Sequence, residues 1–595
     1  MSKKWLSLLI ALGLLLGGLT LTRAAPGIAP LAPQGSAAPT VVSYQGRVQV
    51  SGAPFTGTGY FKFAVVNQAG DTTYWSNDGT SSGGSEPTNA VPLPVSNGLF
   101  TVLLGDTSLD GMTQQLSATV FSGYDRYLRI WFRASSSGAF TRLTPDTPIA
   151  AVPYALQAQH AAPPGNVVIV ARMGNGDFTS IQAAINSITS ASSSNPYLVW
   201  VGPGWYNETV TLKPYVHLQG AGQGVTFIQA AAPDGAVLTL SSDTSVRDLN
   251  VSNTGSGTTN YGMYGNNVTN VQVSNVYVEA GGSGTSNTAI YLTGTSTEVT
   301  LENVTAIGGK ATNSNAGLSI TLGPEVTAHG GTFSGVGGTY AYGIWVAGGS
   351  DTFLGAADVR AYGQDASNTN VGLSNSNYPT VLLQGGFFRG SGGQYAYGME
   401  NYNGADLEAE GVTAQAEGGS GRTTALYNHV ESRATLRGGS FTAQAGGGSA
   451  YAIHNFGSNT VLEAHDVTAL AAGGTYNYGL IAESNTPITR VNGGTFTGQG
   501  GSRAVGINHA NVGETTIQNA FAVGENGTAN YGLDVSAGTV RADGCHFKSN
   551  AAAVRETGGT LYLAVSQLDG GMQRTGGTRT CFQVYDGNYS AYSCP

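Results

Sequence analysis

Charged side chains make up only 10% of this 595-residue chain, 25 basic against 35 acidic, for a formal net charge of −10. Ordinary domains carry about 25%. The shortage excludes a disordered polyelectrolyte, because 41% of the residues are hydrophobic and can bury a core. It also excludes an ordinary nucleic-acid binder. Lysine is scarce, and no basic run supplies the stripe that a phosphate backbone needs. Glycine does not recur at every third residue, so collagen is excluded. Beyond the first 24 residues, no apolar run is long enough to cross a bilayer. What the chain does have is 89 glycines, with abundant Thr, Ser, Asn and Val. That composition favours an all-β, turn-rich extracellular protein.

Residues 1–24 read as a secretory signal peptide. Lys3 and Lys4 form a positive start, Leu6 to Leu21 an apolar run, and Thr22-Arg23-Ala24 a cleavage site with a small residue at both recognition positions. The competing reading is an uncleaved anchor, since the run is near the lower length limit of a span. The expected mature protein is exported and does not span a membrane. Residues 25–39 form a Pro/Ala-rich linker. Residues 40–157 hold short alternating segments such as Tyr127-Leu128-Arg129-Ile130-Trp131-Phe132, expected to form a small β-sandwich. Residues 158–165 are a second linker. At the other end, Cys581 and Cys594 flank a segment with an Asp586-Gly587 turn signal, so 576–595 is expected to be a disulfide-closed hairpin. Such a bridge is worth about 3 kcal/mol in the chain-entropy view; two free thiols are the alternative. Cys545 is left over and reads as a small buried apolar residue.

Val42-Ser43-Tyr44-Gln45-Gly46-Arg47, Asn97-Gly98-Leu99-Phe100-Thr101-Val102 and Ala151-Val152-Pro153-Tyr154-Ala155-Leu156 resemble a module of exported bacterial proteins. In those proteins it often precedes tail-fibre-like or β-helical regions. The resemblance implies a spacer or attachment domain and no chemistry.

From residue 166 an internal repeat dominates. A small residue followed by an apolar one recurs from Gly262-Met263 and Ala289-Ile290 to Gly506-Ile507 and Gly532-Leu533, at spacings of 26 to 29. Amphipathic helices would not tolerate this Gly and Thr content. Three short strands and three turns fit the repeat. The expected fold over 166–575 is a right-handed parallel β-helix of about 15 coils, each stacked about 4.8 Å above the last. A second pattern alternates Val304, Phe333, Val359, Phe388, Val412, Phe441, Val467 and Phe496, with Ala or Gly two residues later. We expect these to form one inward column. Each Phe ends a Gly-Gly-x-Phe run that the Val coils lack, which suggests growth by duplication of a two-coil unit.

Gly176 to Ile185 starts a short helix, with Thr179 as expected N-cap and Gln182 completing a capping box, covering the open end of the rod. Leu198-Val199-Trp200-Val201-Gly202-Pro203-Gly204-Trp205-Tyr206-Asn207-Glu208 and Val216-His217-Leu218-Gln219-Gly220-Ala221-Gly222 resemble the opening coils of pectinesterases and the wider pectin-lyase-like superfamily. The resemblance implies the fold. It does not extend to catalysis: Ser350-Asp351-Thr352-Phe353-Leu354-Gly355 lacks the Gln of the pectinesterase Gln-Asp pair, and no Asp-Phe-x-Phe-Gly follows. The polygalacturonase motifs are also missing. A lyase would need a basic residue beside calcium-binding carboxylates, yet only Lys213, Lys310 and Lys548 lie in the rod.

The position after each repeat's apolar residue is expected to point outward. It forms a stripe that includes Tyr264, Tyr291, Trp345, Glu400, Tyr427, His454 and Asp534. Flat rings with acids and amides suit sugar recognition. The competing reading is that these residues pair across coils because they suit strands. Asn375, Asn401, Asn428 and Asn455 face inward and read as an amide ladder; His509 reads as a satisfied interior imidazole. His465 beside Asp466, with Glu302 and Glu410, could hold a metal or act as acid and base, but a solvated face explains them as well. No cofactor, metal site or catalytic set is called for. The expected role is an exported or cell-surface β-helical protein that binds polysaccharide or surface glycan without catalysis. The alternative is a polysaccharide-active esterase, lyase or hydrolase; its site would need long loops that these regular coils lack.

Overall fold

A computed structural model describes residues 41–121, 126–149, 166–173, 176–485, 487–510 and 512–594. The expected signal peptide and both linkers lie outside these residues. The chain divides into two compact units, Met1–Ala162 and Pro163–Pro595. No helix among the described residues is long and apolar enough to cross a membrane.

The first unit is built around the strand Gly57–Val66, which pairs antiparallel with Thr73–Ser76, Val91–Val95 and Tyr127–Arg133. A two-stranded ribbon, Val42–Arg47 with Leu99–Leu104, completes it. Alternation turns Phe61, Phe63 and Val65 of the sheet and Phe100, Val102 and Leu104 of the ribbon into one core.

The second unit is a parallel β-helix. One sheet of 31 strands takes two strands from nearly every coil, and a sheet of 15 strands takes the third. The first two strands of a coil meet at a sharp bend, for example Glu298–Glu302 and Thr305–Gly309 around Asn303. The bend residue has φ near +50 to +70°: Asn303, Gly330, Asp358, Gly385, Gly411, Gly438, Asp466 and Gly493 occupy it in turn. Only Gly, Asn and Asp visit that region readily, which explains why these three residue types hold the corner.

The register corrects the expected core column. Phe333 lies opposite Ala306 and Ala361, not opposite Val304. Phe388, Phe441 and Phe496 likewise alternate with Ala414 and Ala469. Val304 instead covers Gly331, where an added Cβ would fall 2.4 Å from the Val304 carbonyl oxygen. The volume compensation is therefore Phe against Ala and Val against Gly. A slip of two residues preserves the inward face, so all of these residues remain in one core with Phe333 and Val304 fully buried.

The third sheet bends inward at the small residue of each repeat. A Cβ on Gly343 would lie 2.4 Å from the amide nitrogen of Tyr362 in the facing strand. Backbone thus meets backbone across the interior, which is why Gly stands at this position in most repeats. The outer surface of this sheet is consequently concave.

A short helix covers the first coils. The helix Ile181–Ser187 packs on the first coils, and its N-cap is Ser180, whose hydroxyl accepts from Ala183 N, rather than Thr179. The expected Gln182 partner is replaced by Glu208 from the next coil: it accepts from Ile181 N at 2.8 Å, Gln182 N at 3.0 Å and Ser180 Oγ at 2.7 Å. Tyr206, buried beside it, donates to the Gly202 carbonyl at 3.1 Å. The pectinesterase-like residues therefore close the end of the rod. At the far end the expected hairpin is instead part of the helix. Thr578–Phe582 pairs parallel with Thr560–Ala564, and Tyr585–Asp586 with the strand Gln567–Asp569. Only Tyr585 and Ala591 form an antiparallel bridge. Cys581 and Cys594 form a disulfide, and Cys545 is a buried free thiol.

Candidate functional site

The inward bend determines what the outer face of the third sheet can hold. The residue before the bend and the residue two after it both point outward, and the concavity brings them together. Tyr342 and Trp345, on the two sides of the Gly343 bend, stack with ring centroids 5.5 Å apart. The same positions form a strip along the rod: Tyr261, Tyr264 and Tyr291, then Tyr342 and Trp345, then Tyr397, Glu400 and Tyr427, then Tyr451, His454 and Tyr478, and finally Tyr531 and Asp534.

The stripe expected to be outward divides in two. Tyr264, Tyr291 and Trp345 are half-buried, and Glu400 retains 21% side-chain exposure. Tyr427, His454 and Asp534 point away from the main core but are buried, Asp534 completely. A flat sheet would have exposed all seven; the concave bend lets rings from the opposite wall cover these three. Stacking runs from coil to coil, as in Tyr261–Tyr291 at 4.8 Å, Tyr397–Tyr427 at 5.6 Å and Tyr451–Tyr478 at 5.6 Å. Pairing across coils accounts for the buried half.

Many polar groups of the strip are matched internally, whereas the buried His454 Nδ1, Thr424 Oγ1, Arg422 Nε and Arg503 Nε have no hydrogen-bond partner among the described residues. His429 Nε2 lies 3.3 Å from Glu400 Oε1, and Ser374 donates to the other oxygen of Glu400 at 3.3 Å. His454 Nε2 lies 2.9 Å from Glu483 Oε1. Burial lowers the pKa of His454, and its hydrogen bond holds Glu483 below the usual carboxylate range. Arg422 donates to the Tyr397 hydroxyl at 3.0 Å and lies 4.3 Å over the Tyr427 ring. Burial raises the Tyr397 phenol well above its ordinary range. Asp534 is held by Arg555 at 2.7 and 2.8 Å, by Asn508 at 3.1 Å, and by Arg503.

This arrangement bears on chemistry. Glu400 and Glu483 are three coils apart, about 14 Å along the rod at 4.8 Å per coil. Paired carboxylates that cleave a glycosidic bond sit about 5 to 9.5 Å apart. The two glutamates therefore do not form such a pair. Among the described residues no group of three or more His, Cys, Asp or Glu side chains is placed to hold a metal ion. Glu410 and His465 are separated by Arg437 in the register, and Glu302 lies beside His329, coils away from both.

The interior expectations hold. Asn375, Asn401, Asn428 and Asn455 hydrogen-bond in series at 2.9, 2.9 and 2.8 Å. His509 Nδ1 lies 2.8 Å from Thr515 Oγ1. The stripe expected from the sequence left out the tyrosines before the bend, although Tyr-Gly recurs at Tyr261-Gly262, Tyr342-Gly343, Tyr397-Gly398, Tyr478-Gly479 and Tyr531-Gly532. It also missed Arg422 and Glu483, which no local pattern marks.

Comparison with known proteins adds three kinds of likeness. Residues 43–146 match a family described as a domain of unknown function, DUF8740. Two Arabidopsis thaliana proteins named as pectinesterases, 11 and 49, are 41% identical over 66 residues and 42% identical over 77. These stretches are 10% and 12% of this chain, which spans only about a fifth of each relative, 19% and 21%. Among solved structures, pectin methylesterase PemA from Erwinia chrysanthemi aligns over 42% of this chain and 80% of its own, at 11% identity and a TM-score of 0.23. An α-1,3-glucanase from Streptomyces thermodiastaticus aligns over 95% of both chains at 12% identity and a TM-score of 0.28. Overlap this loose says nothing of the site.

Proposed function

We propose that the chain is an exported, glycan-binding β-helix, and that the half-buried part of the concave strip receives the glycan. The observation that carries this reading is the set Tyr261, Tyr264, Tyr291, Tyr342 and Trp345, aromatic rings that keep solvent contact on a concave face. Rings of this kind pack against the apolar faces of sugars, and Glu400 at the lower edge accepts from hydroxyls. The N-terminal unit, with its resemblance to modules of exported bacterial proteins, serves as spacer or attachment domain. The partial likeness to pectinesterases supports a polysaccharide as partner. It also supports a second reading, a polysaccharide-active esterase, lyase or hydrolase with a divergent site.

Binding of the purified protein to a polysaccharide panel tests the first reading. Trp345→Ala and Tyr291→Ala should each weaken retention at least tenfold; unchanged retention in both would defeat it. Reproducible release of methanol, reducing ends or unsaturated products from the same panel would establish the second.

A further inference from the structure

A second open cleft lies on another face, where the first strands of successive coils meet the turns that lead into them. It has a volume of about 530 Å³, within the size range of ligand pockets. Its walls differ in character. Ile488 and Val512 offer apolar surface, 38% and 67% exposed. Beside them Glu514, Thr539, Arg541 and Asn459 complete the lining. Ile488, Glu514 and Thr539 are stacked in register on three consecutive coils, so the cleft is built on strands and not on loops alone. Arg541 Nε donates to Glu514 Oε1 at 3.1 Å, with both side chains more than half exposed, and the guanidinium rests 4.3 Å over the Tyr562 ring.

We propose that this cleft binds one neutral pyranose unit. An amphiphilic ring matches this mixed lining: its apolar face lies on Ile488 and Val512, and its vicinal hydroxyls meet Glu514 and Arg541. A carboxylate accepts up to about four hydrogen bonds, so Glu514 retains capacity beyond Arg541. The Arg541 charge is already matched by Glu514, and an acidic sugar would face that carboxylate; both facts select a neutral ring. The cleft is on a different sheet from the concave strip and does not rest on the reading given there.

Saturation-transfer NMR and titration of the full chain with cellohexaose, mannohexaose and galactohexaose, and with hexagalacturonate as anionic comparator, test the proposal. At least one neutral hexasaccharide should bind, tenfold more weakly to Glu514→Gln and to Val512→Asp. Unchanged melting temperatures would show that the surface variants fold. Three results would overturn it: no neutral hexasaccharide binds, binding survives both cleft substitutions, or hexagalacturonate binds more tightly. Loss through Trp345→Ala alone would also overturn it, while leaving the concave strip as the site.

Discussion

The Glu208 carboxylate reaches from one coil to the next to accept from Ile181 N at 2.8 Å, and so holds the only α-helix of the described residues over the first coil. It combines capping with closure of an open strand edge. Charge-assisted hydrogen bonds contribute about 1.5–3 kcal/mol each when an orphaned partner would otherwise stay buried. Half-buried geometry places Glu208→Ala near the lower end, about 1–2 kcal/mol. Glu208→Gln should recover part of that loss. Urea midpoints of the three proteins check it, and equal midpoints would remove the capping role.

Asn428 donates to Asn455 at 2.8 Å and accepts from Asn401 at 2.9 Å, all without solvent. Removing the middle amide leaves polar groups of both neighbours short of a partner. Each costs about 1–3 kcal/mol. Asn428→Ala should therefore destabilise more than Asn375→Ala at the end of the ladder. Denaturant midpoints decide the order, and the reverse ranking would show that the amides act singly.

Phe388 fills the space between Ala361 and Ala414. Phe388→Ala leaves a cavity three small residues deep and should cost about 3–5 kcal/mol. Ala414→Phe places adjacent rings in one column and should cost about 1–3 kcal/mol through overpacking. A near-neutral Ala414→Phe would mean that the column tolerates Phe in every coil.

This column shows how far the residues reveal the structure and where they stop. Period-two patterning told inside from outside at Val304 and Phe333 alike, and the repeat length implied stacked coils. Register was beyond reach, because sliding by two residues changes no residue's face. The bend residues Asn303, Asp358 and Asp466 carried the missing information: each marks the positive-φ corner that sets the alignment with Gly330, Gly385 and Gly493. The Asn375–Asn455 ladder was legible because identical amides recurred at identical spacing. Burial of Tyr427, His454 and Asp534 was not. It depends on sheet curvature, which arises from backbone contact at Gly343 and its equivalents and leaves only a small residue as its trace.

Cys545 is buried in the core at the position that Val304 occupies in an earlier coil. Burial pushes its thiol up to about 11, so thiolate is scarce at neutral pH. The native protein should show no reaction with Ellman's reagent at pH 8. One thiol should appear on unfolding without reductant, and three with it, because Cys581 and Cys594 are joined. A rapid native reaction would place Cys545 at the surface.

His454 and Glu483 make stability depend on acidity in one direction. Burial depresses the folded-state pKa of His454 below its unfolded value of 6.5, so the unfolded chain takes up a proton there first. The stability associated with neutral His454 is complete above pH 6.5 and falls as the pH drops below it. Glu483, lowered from 4.5 by its bond to His454, adds a second loss of the same sign below pH 4.5. His217 is depressed by burial as well and contributes to the first window. Thermal melts from pH 8 to 4 should thus show a decline that begins near pH 6.5 and steepens near 4.5. His454→Gln should flatten the upper part and leave the His217 contribution. An unchanged slope in that variant would mean that the imidazole takes its proton without cost in the folded state.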